Sequence, residues 1–262
     1  MLRLTPSRNG GDNAGKTCAR LTIMATIAEG LQAVRQRIAQ AARLAGRDPD
    51  DIRLIAVSKT FAADAVRAAF AAGQRAFGES YLQEALPKIL ELRDLPLEWH
   101  YIGPIQSNKT RPIAERFDWV HAVDRLKIAE RLSAARGETQ PPLQVCVQVN
   151  ISSEASKSGV APDEALALAR AIRNLPRLRL RGLMAIPRPV EAFDAQRAQF
   201  RLLRELCDRL AAAGIVTDTL SMGMTDDFEA AIAEGATIVR VGRAIFGERL
   251  QSTREDVPDN KP

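Results

Sequence analysis

Residues that build disulfide frameworks and metal centres are scarce in this sequence. Three cysteines and two histidines occur in 262 residues, and Cys18, Cys146 and Cys207 form no CxxC pair. An odd set of unpaired cysteines argues against a disulfide framework and for a reducing compartment. His100 and His121 do not have HExxH-type spacing, so we expect no metal site.

Long hydrophobic runs and blocks of like charge are also missing. No apolar stretch approaches the roughly 18 residues of a membrane-spanning helix, and residues 1–23 contain no continuous apolar segment of the kind found in secretory signals. The net charge is only +5, and the densest basic set, Arg173, Arg177, Arg179 and Arg181, flanks or alternates with leucines as in a half-solvated strand. We therefore expect a cytoplasmic protein without membrane or nucleic-acid partners.

The chain divides into three predicted parts. Residues 1–23 are rich in Gly, Asn, Arg and Ser and have little apolar periodicity, which predicts a disordered N-terminal tail. Residues 251–262 are polar and predict a flexible C-terminal tail. Residues 24–250 form the remaining domain, which is long enough to bury a sizeable core.

Strand-like and helix-like segments alternate along this domain. A helical pattern at 26–44 places Ile27, Leu31, Val34, Ile38 and Ala42 on one stripe. Strand patterns follow at 53–59, 75–78, 98–102, 119–123, 143–150, 178–185, 218–222 and 237–241, and a helical pattern follows each of them. This alternation indicates a parallel sheet and favours a single (β/α)8 TIM barrel with an extra N-terminal helix. The first strand is not followed by GxGxxG, which removes the usual mark of a dinucleotide-binding fold.

The first strand ends in a lysine. The segment RLIAVSKT at 53–60 is apolar on both faces up to Lys59, as expected for a strand buried on both sides. Desolvation at the end of such a strand lowers the pKa of a lysine, and a neutral amine can form a Schiff base with a carbonyl. The alternative is that Lys59 is simply the first solvated residue after the strand.

Two glycine-containing turns follow the last two strands. TIM barrels bind ligands at the carboxyl ends of their strands and phosphate in the loops after strands 7 and 8. Here Ser221, Met222 and Gly223 follow strand 7, Gly242 and Arg243 follow strand 8, and both turns run into helices. Glycine allows backbone N–H groups to approach an anion, and a helix N-terminus favours negative charge. Alternatively, the glycines serve only to turn the chain.

Other polar residues are predicted at or near the same mouth of the barrel. Arg240 lies between two valines in an inner strand, where a guanidinium needs an acceptor such as a carboxylate, a ligand phosphate or a ring nitrogen. Further polar residues follow strands 2 to 5, and we treat them as a second tier: Glu79, Ser80, Gln106, Ser107, Asn108, Lys109, Asp124, Arg125 and Asn150.

Several segments together resemble a known family. They are AVSKT (56–60), FGESYLQE (77–84), WHYIGPIQSNKTR (99–111), VDR (123–125), VNISSEASKSG (149–159), GLMAIP (182–187) and LSMGMTDDFEAAIAEGATIVRVGRAIFG (220–247). Over about residues 25–250 the chain resembles the pyridoxal 5′-phosphate (PLP) homeostasis proteins, also called proline synthetase co-transcribed homologues. These proteins are similar to the N-terminal barrel domain of alanine racemase.

The resemblance implies a cofactor site. Lys59 would carry PLP as a Schiff base, the 221–223 and 242–243 turns would hold the phosphate, and Arg240 would face the pyridine nitrogen or the phosphate. The implied cofactor-binding residues are Lys59, Ser80, Asn150, Met184, Ser221, Met222, Gly223, Arg240, Gly242 and Arg243. Two positions depart from the family, which usually has Asn at 80 and a small hydroxyl residue, often Thr, at 243. We expect the shorter side chain of Ser80 to reach the cofactor through water. With Arg243, we expect the turn to bind the phosphate through its backbone N–H donors, without the side-chain hydroxyl of the family.

The resemblance also bears on turnover. An arginine opposite the pyridine nitrogen can only donate, which leaves that nitrogen unprotonated and the ring a weaker electron sink. Alanine racemases draw a second base from a further domain, for which we expect no room in 262 residues. We therefore expect a monomer without catalytic residues that holds, buffers or delivers PLP, with apo-PLP enzymes as candidate recipients.

Three alternatives remain from the sequence. The first is a minimal PLP enzyme of the alanine racemase type, acting on an amino acid. The second is a Schiff-base aldolase acting on sugar phosphates, although its lysine would lie in a later strand than Lys59. The third is a barrel that binds RNA or a protein partner through its surplus positive charge.

Overall fold

A helix precedes eight strands that alternate with further helices. The structure, a computed structural model, describes residues 11–152, 154 and 157–247, with side chains from residue 26 onward. In these residues the strands are β1 Arg53–Val57, β2 Ala76–Glu79, β3 Glu98–Tyr101, β4 Trp119–Val123, β5 Leu143–Gln148, β6 Leu178–Met184, β7 Thr219–Ser221 and β8 Ile238–Val241. The helices are α1 Gly11–Leu44, α2 Ala63–Ala71, α3 Leu82–Glu91, α4 Thr110–Arg116, α5 Leu126–Ala135, α6 Ala165–Arg173, α7 Phe193–Ala212, α8 Phe228–Ala233 and α9 Arg243–Phe246, with 3₁₀ turns at Pro49–Asp51 and Ser107–Lys109.

The eight strands form one closed, all-parallel barrel in sequence order. Closure occurs where β8 pairs with β1, in a register that sets Ile55 opposite Arg240. Because all the strands are parallel and a helix connects each one to the next, the carboxyl ends of all strands lie at the same mouth of the barrel. The predicted (β/α)8 barrel with an N-terminal helix is confirmed.

The barrel strands are buried on both faces, which explains their nearly continuous apolar runs. In β1, Ile55 and Ala56 are fully buried, and the largest fully buried side chains elsewhere include Phe77, Phe117 and Phe200. Burying each such side chain contributes about 1.5–3 kcal/mol. The barrel interior is therefore a packed apolar core below the mouth that carries the loops.

Helix α1 covers the barrel on the side where β8 meets β1. It packs against α2, α8 and α9. Its approach to α9 requires glycine, because a Cβ on Gly30 would lie 2.8 Å from the carbonyl oxygen of Ala244. Arg37 and Glu229 add an ion pair to α8 at 2.7 Å.

Helix α1 begins earlier than predicted. The predicted start at about residue 26 is wrong, because the backbone is already helical from Gly11. A helix that is nucleated elsewhere gains one hydrogen bond for each residue added, so residues 11–23, which include several good helix formers, need no apolar stripe to continue it. Of the disordered tail predicted at 1–23, residues 1–10 lie outside the described residues, as does the flexible tail predicted at 251–262.

Several other predicted boundaries shift by one to three residues. The strand predicted to end at Asn150 ends at Gln148, with Val149 continuing only as a single bridge to Val160. The helix predicted from 226 begins at Phe228, because Asp227 accepts the Met224 N–H at 2.6 Å and caps the turn before it. No helix in the described part of the chain is long and apolar enough to cross a membrane. The same residues contain no group of three potential metal ligands.

Candidate ligand-binding site

A cleft of about 230 Å³ opens at the carboxyl-terminal mouth of the barrel. It is lined by Val57, Lys59, Phe61, Ser80, Ile102, Ile186, Met224, Thr225, Asp226, Arg240, Gly242, Arg243 and Gly247. A wider depression of about 640 Å³ lies at the opposite mouth, around Arg53 and Glu98. Since TIM barrels bind their ligands at the carboxyl ends of the strands, the smaller cleft is the candidate site.

Lys59 reaches this cleft from a strained turn. Strand β1 ends at Val57, Ser58 is fully buried, and Lys59 is half-buried. The next residue, Thr60, has φ +69°, a left-handed conformation that is costly for a β-branched side chain. Its N–H donates to Glu84 Oε2 at 2.9 Å, which holds the turn in place. Such strain is typical of functional sites and here fixes the direction in which Lys59 leaves the strand.

A buried ion pair lies directly behind the turn. Lys88 Nζ is 2.6 Å from Glu79 Oε1 and also donates to the Ser58 carbonyl at 2.8 Å, while the Ser58 hydroxyl donates to Glu79 Oε1 at 2.7 Å. Burial raises the pKa of the Glu79 carboxyl, although its contacts with Lys88 and Ser58 favour the ionised form. The network ties helix α3 to the residue before Lys59.

Sequence reasoning placed Glu79 in the second tier and missed Lys88. A signal was present, because Lys88 continues the buried stripe of Leu82 and Ala85 at helical spacing. A lysine on an apolar stripe needs a buried acceptor, and Glu79 supplies it.

Arg240 finds its acceptors inside the barrel. It is 4 % exposed, and its NH1 donates to Ser221 Oγ at 2.7 Å while NH2 donates to the Ala185 carbonyl at 3.0 Å. Burial lowers the pKa of Arg240 to about 10, with Asp227 acting in the opposite direction. The guanidinium therefore stays protonated at neutral pH and can act only as a donor.

The turn after β7 is shaped by Gly223. This glycine has φ +93°, and a Cβ there would lie 2.7 Å from Ala231 Cβ and 2.9 Å from Phe228 Cα. Its carbonyl accepts the Arg240 N–H at 3.0 Å. The residues of this loop that line the cleft are the following three, Met224, Thr225 and Asp226.

The structure brings together half of the implied cofactor-binding set. Lys59, Ser80, Arg240, Gly242 and Arg243 line the cleft, whereas Asn150, Met184, Ser221, Met222 and Gly223 are not among its lining residues. Met184, Ser221 and Met222 are fully buried, and Ser221 accepts a hydrogen bond from Arg240, which lines the cleft. Asn150 instead donates to the Glu154 carbonyl at 2.8 Å. The roles of all ten residues in binding a cofactor stay predictions.

Arg243 joins the loops after β7 and β8. Its guanidinium pairs with the carboxylate of Asp226, and both side chains are exposed at the rim of the cleft. Gly242, beside it, lies at a close approach, since a Cβ would lie 3.1 Å from the Val57 carbonyl oxygen. The backbone of this turn is therefore held against the end of β1, close to the strand end that carries Lys59.

The chemistry of the cleft fits a small aromatic ligand with a carbonyl and an anionic group. Val57, Phe61, Ile102 and Ile186 provide apolar walls suited to a flat ring. Lys59 provides an amine, and Arg240 provides a permanent donor. The residues present thus suit PLP, which combines an aldehyde, a pyridine ring and a phosphate.

Comparisons with known proteins agree with a PLP-binding site. Residues 30–250 match the family model described as alanine racemase, N-terminal domain. Within that class, the chain is 64% identical over 226 residues to the pyridoxal phosphate homeostasis protein of Pseudomonas aeruginosa, covering 86% of this chain and 97% of that one. The corresponding protein of Escherichia coli is 52% identical over 239 residues, covering 88% and 100%.

A solved structure leads to the same family. PipY of Synechococcus elongatus, solved with PLP bound, is 40% identical with a TM-score of 0.74, covering 84% of this chain and 100% of that one. The chain belongs to the family of pyridoxal phosphate homeostasis proteins. The resemblance seen in the sequence is confirmed.

Proposed function

We propose that this chain binds PLP covalently through Lys59 and acts in intracellular PLP homeostasis and amino- and keto-acid balance. The observation that carries the proposal is that Lys59 and Arg240, at the ends of the neighbouring strands β1 and β8, line one cleft. The names of the bacterial relatives and the PLP bound in PipY support it.

The residues of the cleft have separate roles in this proposal. PLP supplies an aldehyde that condenses with amines and a ring that withdraws electrons. Lys59 would hold the aldehyde carbon, Arg240 would donate to the ring nitrogen or the phosphate, and the backbone around Gly242 would hold the phosphate. Arg243, paired with Asp226, adds positive charge at the rim. Ser80 also lines the cleft.

We further propose that the protein has no robust catalytic turnover. Arg240 stays protonated at neutral pH, since its pKa is about 10 after burial, so it supplies no proton to the ring nitrogen and accepts none. The Tyr101 hydroxyl donates to the Pro104 carbonyl at 3.2 Å, and Tyr101 is not among the residues that line the cleft. The test is deuterium incorporation at Cα of a panel of amino acids. Rates no higher than those with free PLP support the proposal, and a rate far above free PLP for any amino acid contradicts it.

The covalent attachment is tested by spectroscopy. Purified protein mixed with PLP should develop a visible Schiff-base band that disappears on borohydride reduction, and Lys59→Ala should develop none. Lys127→Ala is the matched control, because Lys127 is an exposed lysine on α5. Equal bands in the two variants would place the attachment elsewhere.

Delivery of PLP to apo-PLP enzymes is part of the proposal. It predicts that, with a scavenging amine present in both samples, PLP-loaded protein activates an apo-aminotransferase faster than an equal amount of free PLP does. Activation no faster than from free PLP under the same conditions would leave storage, not delivery, as the role. The monomeric state and the cytoplasmic location stay predictions.

A further inference from the structure

A chain of polar side chains crosses the interior of the barrel. Its members are Glu98 and His100 on β3, His121 on β4, Ser221 on β7 and Arg240 on β8. His100 Nδ1 lies 2.9 Å from His121 Nε2, His121 Nδ1 lies 2.8 Å from Ser221 Oγ, and Ser221 Oγ lies 2.7 Å from Arg240 NH1. Both histidines and the serine are fully buried.

The far end of the chain is anchored at the amino-terminal mouth. Glu98 Oε1 lies 2.5 Å from His100 Nε2, without the geometry of a hydrogen bond, and 2.8 Å from Arg53 NH2. The indole of Trp119 stacks on His100 with ring centroids 5.4 Å apart. These contacts hold the first imidazole in one orientation.

Donor and acceptor chemistry gives the chain one direction. Arg240 can only donate, so Ser221 Oγ accepts from it and directs its own O–H to His121 Nδ1. His121 then carries its proton on Nε2 and donates to His100 Nδ1. His100 in turn carries its proton on Nε2, where it faces the Glu98 carboxylate.

The opposite direction is disfavoured by Glu98. It would place the lone pair of a neutral His100 Nε2 against a carboxylate oxygen at 2.5 Å. A proton on both ring nitrogens would relieve that contact, but burial lowers the pKa of both histidines, that of His121 well below the ordinary value. Arg53 and Arg240, at the two ends, also disfavour a further positive charge between them.

We propose that His100 and His121 are positioning residues that orient Ser221 and thereby hold the Arg240 guanidinium toward the ligand cleft. In the proposed function, Arg240 contacts PLP and the histidines do not, so this inference rests on that function for its consequence in binding. Without the ordered acceptor at Ser221, the guanidinium would lose one of its two fixed contacts and its direction. The remaining fixed contact is the Ala185 carbonyl.

The first test needs no cofactor. Nitrogen-15 NMR of the histidines in the full chain, assigned with single-histidine variants, should show both rings as neutral Nε2–H tautomers at pH 7. An Nδ1–H tautomer or a doubly protonated ring at either position would overturn the directional chain. This result is independent of whether the protein binds PLP.

The second test compares three variants in PLP binding. His121→Phe keeps a flat ring but breaks the chain, and we expect PLP to dissociate about tenfold more readily, as for a lost hydrogen bond to a charged group. His121→Gln can still accept and donate, so it should restore most of the affinity. Phe200→Leu perturbs the buried core on α7 without touching the chain, and it should change the affinity less than twofold.

The outcomes separate the two proposals. If wild-type protein binds PLP and His121→Phe binds it equally well, the positioning role is wrong while the proposed function stands. If wild-type protein forms no adduct with PLP, the proposed function fails and the role of the histidines toward the cofactor fails with it, whatever tautomers are observed. If Phe200→Leu weakens binding as much as His121→Phe, the effect is one of general core packing and the positioning role is again overturned.

Discussion

The amine of Lys88 lies 2.6 Å from Glu79 Oε1, and both side chains are buried, Lys88 at 6 % and Glu79 at 0 % exposure. The same amine donates to the carbonyl of Ser58, the residue before Lys59. The pair therefore combines a role in stability with a role in placing the turn that carries Lys59.

Removing Lys88 should strongly destabilise the protein. Lys88→Met leaves the Glu79 carboxylate buried without its cation, and we expect the free energy of unfolding to fall by about 3–5 kcal/mol. Urea unfolding followed by circular dichroism measures the change. Glu79→Gln combined with Lys88→Met removes the stranded charge and should recover at least half of the loss. A single variant as stable as Lys127→Met would contradict the account.

The two buried histidines should make stability fall as the solution becomes acidic. Burial lowers the pKa of His100 and His121 in the folded state, so the unfolded chain takes up protons first, at its ordinary histidine pKa near 6.5. Their contribution to stability is therefore full above about pH 6.5 and is lost as the pH falls from there toward the folded-state values. Each ring adds a slope of at most about 1.4 kcal/mol per pH unit.

Urea unfolding at a series of pH values between 5 and 7.5 measures this slope. Other groups also affect stability in this pH range. Glu98 and Asp118 face His100. A buried carboxyl with a raised pKa, such as Glu79, adds stability as the pH falls and so opposes the loss caused by the histidines. The quantity to compare is therefore the difference between wild type and His100→Gln/His121→Gln, which should lose the slope between pH 7 and pH 5. Identical pH profiles for the two proteins would show that the rings are not held neutral by the fold.

Asp226 should limit the affinity for PLP. Its carboxylate pairs with Arg243 at the rim of the cleft, and both side chains are exposed. Asp226→Asn frees Arg243 and removes a negative charge near the expected phosphate, so we expect PLP to bind about two- to fivefold more tightly at low salt. The gain should shrink at high salt because the charges are exposed.

Titration of the Schiff-base band with PLP measures the affinity of Asp226→Asn. Asp208→Asn, an exposed position on α7 outside the cleft, is the charge-matched control. Weaker binding by Asp226→Asn than by this control would show that the carboxylate contributes to holding the cofactor.

Gly223 and Gly214 provide a matched pair of substitutions to alanine. Both have positive φ, +93° and +79°, but a Cβ on Gly223 meets Ala231 and Phe228 below 3.0 Å, while a Cβ on Gly214 meets nothing within 4 Å. We expect Gly214→Ala to cost about 1–2 kcal/mol from its backbone alone. Gly223→Ala should cost about 1–3 kcal/mol more from overpacking and should also weaken PLP binding through Arg240. Equal losses of unfolding free energy would contradict this packing role.

Much of the architecture could be predicted from the sequence, because eight alternating segments leave few alternatives to a closed parallel barrel. The start of α1 could not, since a helix continues past its packed stripe wherever the residues allow. Strand ends such as Gln148 depend on bridges to distant residues like Val160, which no local pattern reports.

Where a residue type has one role at a strand end, as with Lys59, Arg240 and Gly242, the sequence predicted residues that line the cleft, and their roles toward a cofactor stay predictions. The site was not predictable where side chains meet across the barrel. His121 and Ser221 are 100 residues apart in sequence and meet only because both point inward from their strands. The spacing of His100 and His121 bears only on metal binding, whereas their shared place in inner strands was the signal of a polar pair.

The central claim is that one lysine at the end of β1 holds PLP. It is tested most directly by incubating the protein with PLP, reducing with borohydride, digesting, and locating the added pyridoxyl mass by tandem mass spectrometry. The account predicts one stoichiometric modification at Lys59 and its loss in Lys59→Ala, with Lys127→Ala labelled as in wild type. Modification spread over surface lysines, or unchanged labelling in Lys59→Ala, would contradict it.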